Sequence, residues 1–325
     1  MRVLVTGGAG YIGSFVARTL LSRGHTVHVL DDLSTGNRSA IGETPITVGD
    51  IRDAGAVRAA MRSIRPSAVI HLAALKAVAE SVADPGRYYD VNVNGTRVLL
   101  DEALSFDVTR FVFSSSCSVY GTPQTCPVDE QVVARPESPY GETKLVGERM
   151  TRWFAQTKGM HHVILRYFNV AGAASDASLG EFRLHESPQI FPSVIRAALQ
   201  GGNVEVFGAD YPTEDGTAVR DYIHVEDLAM AHVQALEAMT SPELNGVYNL
   251  GSGKPASVES IVRSLEQESG VHIGRSLRSR RPGDPAECWA DATLAQRAFQ
   301  WRPERELRDI VRSEWKWNSA LVQGA

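Results

Sequence analysis

Tyr140 and Lys144 stand four residues apart at the start of Tyr140–Lys158, a stretch whose apolar residues recur at helical spacing, so both side chains project from one helix face. A phenol titrates near about 10 in water, and a lysine cation beside it favours the phenolate, which gives a base effective near neutral pH. The spacing also arises by chance and needs company. That company is Ser114-Ser115-Ser116-Cys117-Ser118-Val119-Tyr120-Gly121, where Ser116 is placed to hydrogen-bond a reacting hydroxyl. A run of serines is ordinarily a polar strand end. Combined with Tyr140 and Lys144 it reads instead as a group that takes a proton from an alcohol.

A second constellation is suited to binding. Gly7-Gly8-Ala9-Gly10-Tyr11-Ile12-Gly13 directly follows the apolar run Val3–Thr6 and opens the helical pattern Ile12–Ser22. Glycines at 7, 10 and 13 permit a tight turn, a close backbone approach to a pyrophosphate and close helix–sheet packing, while the helix N-terminus attracts the anion. The next run, Thr26–Leu30, ends in Asp31-Asp32, about 20 residues beyond the glycines, where a carboxylate accepts from adenosine ribose hydroxyls. Asp31 repels a 2′-phosphate and neither position 32 nor 33 is arginine, so NAD is expected rather than NADP. A positively charged nicotinamide ring would favour the Tyr140 phenolate further. Gly49-Asp50-Ile51 follows the third run, Ile46–Val48, and places Asp50 to meet an adenine amino group.

The elements that must position these residues alternate. Val3–Thr6, Thr26–Leu30, Ile46–Val48, Ala68–Leu72, Arg110–Ser114 and His162–Arg166 read as strands, separated by helical stretches at Ile12–Ser22, Ala54–Ser63, Tyr88–Ala103 and Tyr140–Lys158. Each strand is a nearly continuous apolar run, the mark of burial on both faces, so the fold class is doubly wound α/β with a parallel sheet, the Rossmann arrangement. After about residue 170 the character changes. Ala171–Gln189 is rich in small and polar residues, and Pro188 and Pro192 lie near an apolar helix from Ser193 to Leu199. The expected division is a cofactor domain over 1–170 and a smaller, mainly substrate domain over 171–325. The chain returns to the first at about 222–250 through a helix at Val225–Met239 and a strand at Val247–Leu250. A last helix lies near Leu307–Trp317.

Composition narrows the classes of function. At 325 residues the chain can bury a sizeable core, and its 43% hydrophobic and 22% charged content is that of a globular protein. A formal charge of −5 offers no general attraction to nucleic acid or to an anionic membrane, so an anionic ligand must be met by local positive charge. No apolar stretch approaches the roughly 20 residues needed to span a bilayer, and glycines interrupt the N-terminus before a signal-peptide core forms. Cys117, Cys126 and Cys288 are odd in number and unpaired in pattern, which suits a reducing compartment. Nor do they combine with His161, His162, His185 or His224 at metal-ligand spacing. Cytoplasmic residence with no metal is the expectation.

Taken together, the glycine loop, Ser116 and the Tyr140/Lys144 pair resemble the extended short-chain dehydrogenase/reductase superfamily. Within it the resemblance narrows to the UDP-galactose 4-epimerases and runs from Met1 to about Asp291. It is most specific in Thr6–Gly13, in Leu75–Lys76 with Tyr88–Thr96, in Leu165-Arg166-Tyr167-Phe168-Asn169, and in Asp210–Val225. The resemblance implies NAD contacts at Tyr11, Ile12, Asp31, Asp32, Leu33, Ser34, Thr35, Gly36, Asp50, Ile51, Leu72, Ala73, Ala74, Lys76, Asn92, Tyr167 and Phe168, together with Ser116, Tyr140 and Lys144. It implies contacts with a UDP-hexose at Asn169, Gln189, Ile190, Val206, Phe207, Arg220, Arg281, Asp284 and Cys288, besides Ser116 and Tyr140. Physics agrees in part: a uracil needs an apolar or aromatic wall, and a diphosphate needs guanidinium donors. The implied reaction interconverts UDP-galactose and UDP-glucose. Tyr140 takes the C4 hydroxyl proton as hydride passes to NAD, and a 4-keto sugar turns its other face before both are returned. A homodimer built through Tyr88–Ala103 and Tyr140–Lys158 is also implied.

The chain departs from that pattern at three positions. Gln189 stands where asparagine or histidine is expected, and Cys117 is a small variant beside Ser116. Cys288 stands where some epimerases carry a large tyrosine, which implies a roomier pocket that admits N-acetylated UDP-sugars. A dehydratase would need an acid–base pair of carboxylates after the serine, where Cys117-Ser118-Val119-Tyr120 has none. A UDP-N-acetylglucosamine 4-epimerase, a UDP-glucuronate decarboxylase and a non-catalytic NAD-sensing protein stand as alternatives; retention of Ser116, Tyr140 and Lys144 counts against the last.

Overall fold

Apolar runs bounded by turn residues become strands covered on both faces. In the computed structural model, which describes residues 1–182, 189–240, 242–281 and 283–323, seven parallel strands form one sheet. They are β1 (Arg2–Thr6), β2 (Thr26–Asp31), β3 (Ile46–Val48), β4 (Ala68–His71), β5 (Arg110–Ser116), β6 (His161–Tyr167) and β7 (Gly246–Leu250). Their spatial order is 3-2-1-4-5-6-7, so the order reverses between β1 and β4. The helices of seven residues or more among the described residues are α1 (Tyr11–Ser22), α2 (Ala54–Ile64), α3 (Gly95–Ser105), α4 (Pro139–Lys158), α5 (Ile190–Gln200), α6 (Val225–Ala238), α7 (Val258–Ser269), α8 (Thr293–Phe299) and α9 (Leu307–Gln323).

Alternation along each strand divides the core. Val3 and Val5 point to one face, with Val29, Ile70, Val112 and Leu165, and meet Phe15 and Leu20 of α1 and Leu228 and Leu236 of α6. Leu4 points to the other, with Leu30, Val69, Phe111 and Ile164, against Val57 and Met61 of α2 and Leu99 and Leu100 of α3. A further core joins α5, α7 and α9 through Val194, Ile195, Ile261, Leu265 and Ile310 to the strand Asn203–Phe207. β7 pairs with β6 and α6 packs on α1, so the chain re-enters the first sheet late, as the apolar run Val247–Leu250 predicts.

Most boundaries lie within two residues of those read off the sequence, and three elements depart by more. The stretch expected as one helix over Tyr88–Ala103 is divided into Pro85–Tyr88, a π-helical turn Tyr89–Asn94, and α3, with a separate short helix Val78–Ala83 before them. A π turn rotates the residues within it relative to an α-helical face, and here it buries Asn92 at the cofactor edge. α5 begins at Ile190 rather than Ser193, because Pro192 falls in its first turn, where a missing N–H interrupts no helical bond. Pro188 and His185 lie outside the described residues. The last helix continues to Gln323. Among the described residues no helix is long and apolar enough to cross a membrane, and no group of three His, Cys, Asp or Glu side chains is placed to hold a metal ion.

Candidate active site

Six adjacent strands, β1 to β6, deliver candidate residues at their carboxyl ends, along the edge where doubly wound sheets bind ligands. After β1, Gly7 turns at φ +69°, and a Cβ there would lie 2.6 Å from the Ala73 nitrogen. A Cβ on Gly13 would lie 2.0 Å from the Gly7 carbonyl oxygen, so α1 can approach the loop this closely only without a side chain. Gly10 is the N-cap of α1, and no side chain caps that first turn. Its outward N–H groups are therefore free donors for a phosphate. The donor set thus fits the pyrophosphate of a dinucleotide.

Asp31 ends β2 and is buried, and its two carboxylate oxygens accept from the backbone N–H groups of Ala9 and Leu33, each at 2.9 Å. The aspartate thereby ties the glycine loop to the turn at 31–36, while each oxygen keeps a second lone pair for a ribose hydroxyl. Burial raises its pKa, and the two backbone bonds oppose the rise. Leu33 takes a left-handed φ of +59°, and Asp32 accepts from Ser34 N–H at 2.9 Å. Thr35 and Gly36 complete that turn, Gly36 lying against Asp31. Asp50 is gripped by Arg52, which holds its carboxyl below the usual range, whereas Ile51 packs into the core beside Gly95. In the β4 loop, Leu72 and Ala73 donate to the Thr6 main-chain and hydroxyl oxygens at 3.0 and 3.4 Å; Ala74 follows, and Lys76 reaches Glu181 at 3.4 Å. Asn92 clamps this loop: its oxygen accepts from Leu75 N–H at 2.8 Å and its amide donates to Leu75 O and to the Thr143 hydroxyl. Tyr11 donates from its hydroxyl to Gly172 O, and burial raises its pKa. Ile12 packs beside it against the sheet.

The proton-handling residues meet at the ends of β5 and β6. Ser138 caps α4 by accepting from Gly141 N–H at 3.1 Å, and Pro139 occupies the first turn, which sets Tyr140 at the cofactor edge. Tyr140 is 7% exposed, edge-on to Tyr88 at 6.5 Å. Burial pushes its phenol up to about 12, and a hydrogen bond with Ser116 draws it the other way. Lys144 is directed to the Ser114 carbonyl at 2.9 Å rather than to the phenol, with Phe113 5.4 Å beneath it. Burial lowers its ammonium to about 8, against an opposing pull from Glu148. Tyr167 ends β6 near His232, and Phe168 is buried in the cluster of Val119, Tyr120 and Cys288.

The substrate candidates fall on the elements facing that edge. Strand Glu287–Cys288 pairs with strand Val219–Arg220, setting Cys288 beside Arg220, and Cys288 shares an apolar cluster with Cys117, the neighbour of Ser116. Arg220 faces inward, donating to the Val219, Pro285 and Ala286 carbonyls and to Asp284, so Arg220 and Asp284 form an internal strut. Arg281 instead lies on the Phe207 ring at 4.0 Å, next to Val206 in the strand Asn203–Phe207. Asn169 is exposed and follows Phe168, while Gln189 and Ile190 open α5.

Sequence reasoning passed over the buried polar groups His71 and Glu148, which touch the elements that carry the site. His71, between the Thr6 and Thr96 hydroxyls at 2.7 and 2.9 Å, knits β1, β4 and α3 together, and burial holds it near about 3, hence neutral. Glu148, one turn beyond Lys144, binds Ser115 and Arg166. The tyrosine, lysine and glutamate recur at four-residue intervals, a signal present in the sequence.

A reversed strand order, a glycine cradle at it and a serine, tyrosine and lysine beside it define an α/β protein of the dinucleotide-binding class. The chain belongs to the NAD dependent epimerase/dehydratase family, whose model matches residues 3–251. It is 43% identical to a UDP-glucose 4-epimerase of Erwinia amylovora, the match spanning 100% of this chain and 99% of the relative. A UDP-glucose 4-epimerase structure from Stenotrophomonas maltophila, with bound NAD and formylated UDP-arabinopyranose, superposes with a TM-score of 0.95 at 40% identity, covering 100% of both chains. One from Bifidobacterium longum, in complex with NAD+ and UDP, gives 0.93 at 36%, again with 100% of both covered.

Proposed function

We propose that this protein is an NAD-dependent isomerase that interconverts UDP-glucose and UDP-galactose by inverting C4. The observation that carries the reading is the meeting of Ser116, Tyr140 and Lys144 at the edge where the glycine loop opens, in a chain with full-length 4-epimerase relatives. Bound along the glycine loop and Asp31, NAD would supply reversible hydride acceptance at C4. Tyr140 takes the C4 hydroxyl proton and gives it back, so its buried phenol must lose a proton during turnover. Ser116 holds the same hydroxyl and lowers the cost of the phenolate, and the Lys144 cation lies one turn along the helix. Asp31, Asp32 and the turn at 33–36 hold the adenosine ribose; Asp50, Ile51, the loop 72–76, Asn92, Tyr167 and Phe168 line the rest of the cofactor.

On the substrate side, Arg281 and Phe207 suit a uridine diphosphate, the guanidinium meeting a phosphate and the ring a base. Cys288, small and 8% exposed beside Arg220, favours a pocket that also takes N-acetylated UDP-hexoses. The chain then divides in labour, 1–170 with β7 and α6 holding the cofactor and most of 171–325 the sugar nucleotide. Free thiols at 117, 126 and 288 fit a reducing cytoplasm. Association of two copies through the faces of α3 and α4 is favoured by Trp153, which stands 72% exposed on α4.

The test is conversion of UDP-galactose with no cofactor added, using the protein as isolated, followed by identification of the product. Tyr140→Phe should lose turnover by about 10³-fold or more while NAD remains bound. Substantial activity in that variant would reject the assignment of Tyr140.

A further inference from the structure

α4 carries Tyr140, Lys144 and Glu148 at four-residue intervals, so all three project along one face of the helix. Glu148 has no part in the reaction as described above, yet it is 0% exposed. A carboxylate removed from water costs several kcal/mol unless it is paired and hydrogen-bonded. Its pairing is full. Oε1 accepts from the Ser115 hydroxyl at 2.6 Å and from Arg166 Nε at 2.8 Å, Oε2 accepts from Arg166 Nη2 at 2.6 Å, and Arg152 stands 3.8 Å away.

The placement of those partners is informative. Ser115 sits on β5 between Ser114, whose carbonyl receives the Lys144 ammonium, and Ser116, the hydrogen-bond partner of Tyr140. Arg166 sits on β6 next to Tyr167, and its guanidinium lies 4.8 Å over the Tyr120 ring. Stability alone does not require such a pair, since a buried ion pair replaced by apolar residues of similar volume is often neutral or stabilising. What an apolar pair would not supply is a carboxylate on the same helix face one turn from a buried ammonium, with its guanidinium partner held on β6.

The groups around Lys144 come from β4, β5, β6 and α4 itself. From β4 comes His71, uncharged between two hydroxyls. From β5 come Phe113 and the Ser114 carbonyl, and from β6 Tyr167, whose phenol burial keeps protonated. From α4 itself come Tyr140 and Glu148. Among these described residues Glu148 is the one anion.

We propose that Glu148, anchored by Ser115 and Arg166, is a positioning residue that keeps Lys144 in its ammonium form within the closed site, and so sets the pH range over which Tyr140 can work. The inference rests on the reading that Tyr140 and Lys144 serve C4 inversion. Burial lowers Lys144 to about 8 even with Glu148 pulling upward, and without that carboxylate the ammonium would give way nearer neutrality.

The test is the pH dependence of kcat for UDP-galactose in Glu148→Gln, Glu148→Asp and the double variant Glu148→Gln/Arg166→Met. In Glu148→Gln the alkaline fall in kcat should move to lower pH by about one pH unit, a ~10-fold loss on that limb, with KM little changed. Glu148→Asp should restore part of the range. Glu148→Gln leaves a buried guanidinium unpaired and can unfold the chain, whereas the double variant removes both charges, so its limb should move in the same direction but by less, about half a pH unit. A folded, NAD-bound double variant whose alkaline limb coincides with that of the parent overturns the proposal, as does a uniform loss at every pH. Tyr140→Phe, measured alongside, reports separately on the underlying reading, because it depends on the phenol and not on the position of the limb.

Discussion

At the scale of single residues, Tyr140 meets opposing demands: burial that excludes water from the reacting hydroxyl also raises its phenol to about 12. Ser116 acts in the other direction, and Ser116→Ala should expose the balance between them. The variant is expected to lose about 10²-fold in kcat at neutral pH, and its rate should keep rising to higher pH than the parent's, because the phenol now needs a higher pH to lose its proton. A pH–rate profile that falls in height but keeps its ascending limb in place would mean that Ser116 only orients the sugar. Cys288 makes a different prediction of the same scale. Cys288→Tyr should reduce kcat/KM for UDP-N-acetylgalactosamine by about 10-fold or more, a cost of ~1.4 kcal/mol, with UDP-galactose little affected. Parallel loss on both sugars in steady-state assays would place Cys288 in packing alone. That Ser116, Tyr140 and Lys144 come together at the ends of β5 and α4 was legible from residue types and spacing. Arg220 was not read in full: its charge was visible, but the Asp284 carboxylate and the Pro285 and Ala286 carbonyls that turn it inward come from a loop more than sixty residues away.

At the scale of elements, the first half was legible because parallel strands are buried on both faces, and β3 was bounded by its sequence at Ile46 and Val48 as found. The three-stranded small sheet was not, since its strands Val219–Arg220, Ala256–Ser257 and Glu287–Cys288, of two residues each, are too short to carry a period. α7 went unassigned although Ile261, Val262 and Leu265 follow helical spacing, with Ser257 capping through Ser260 N–H at 3.0 Å. The glycine loop shows how tightly one element constrains another. In Gly13→Ala the new methyl would meet the Gly7 carbonyl at 2.0 Å, so α1 must back away from the loop that it presents to the pyrophosphate. NAD should be retained at least ~10-fold more weakly, read as cofactor released on gel filtration. Retention equal to the parent's would show that the loop accommodates the shift elsewhere.

At the scale of the whole molecule, the last helix is tied to the first. Glu314 of α9 is 4% exposed; it accepts from Gly172 N–H at 2.8 Å and from the Asn318 amide at 3.0 Å, while the Gly172 carbonyl receives the Tyr11 hydroxyl from the opening turn of α1. Burial raises its carboxyl to about 7, with two hydrogen bonds opposing and the Glu181 charge adding to the rise. A carboxyl whose folded pKa lies above the unfolded one is protonated in both states at acid pH and adds no cost there. As pH climbs from about 4.5 to about 7 the unfolded chain ionises first, so stability falls across that window and stays lower above it, by about 3 kcal/mol. Glu314→Gln keeps an oxygen for Gly172 N–H and removes the ionisation. The difference in Tm between variant and parent should therefore be small near pH 4.5 and widen to the order of 5 °C above pH 7, followed by calorimetry. Parallel Tm curves across that range would mean that water or a rearranged α9 solvates the carboxylate, and that the two ends of the chain are less rigidly joined than their hydrogen bonds imply.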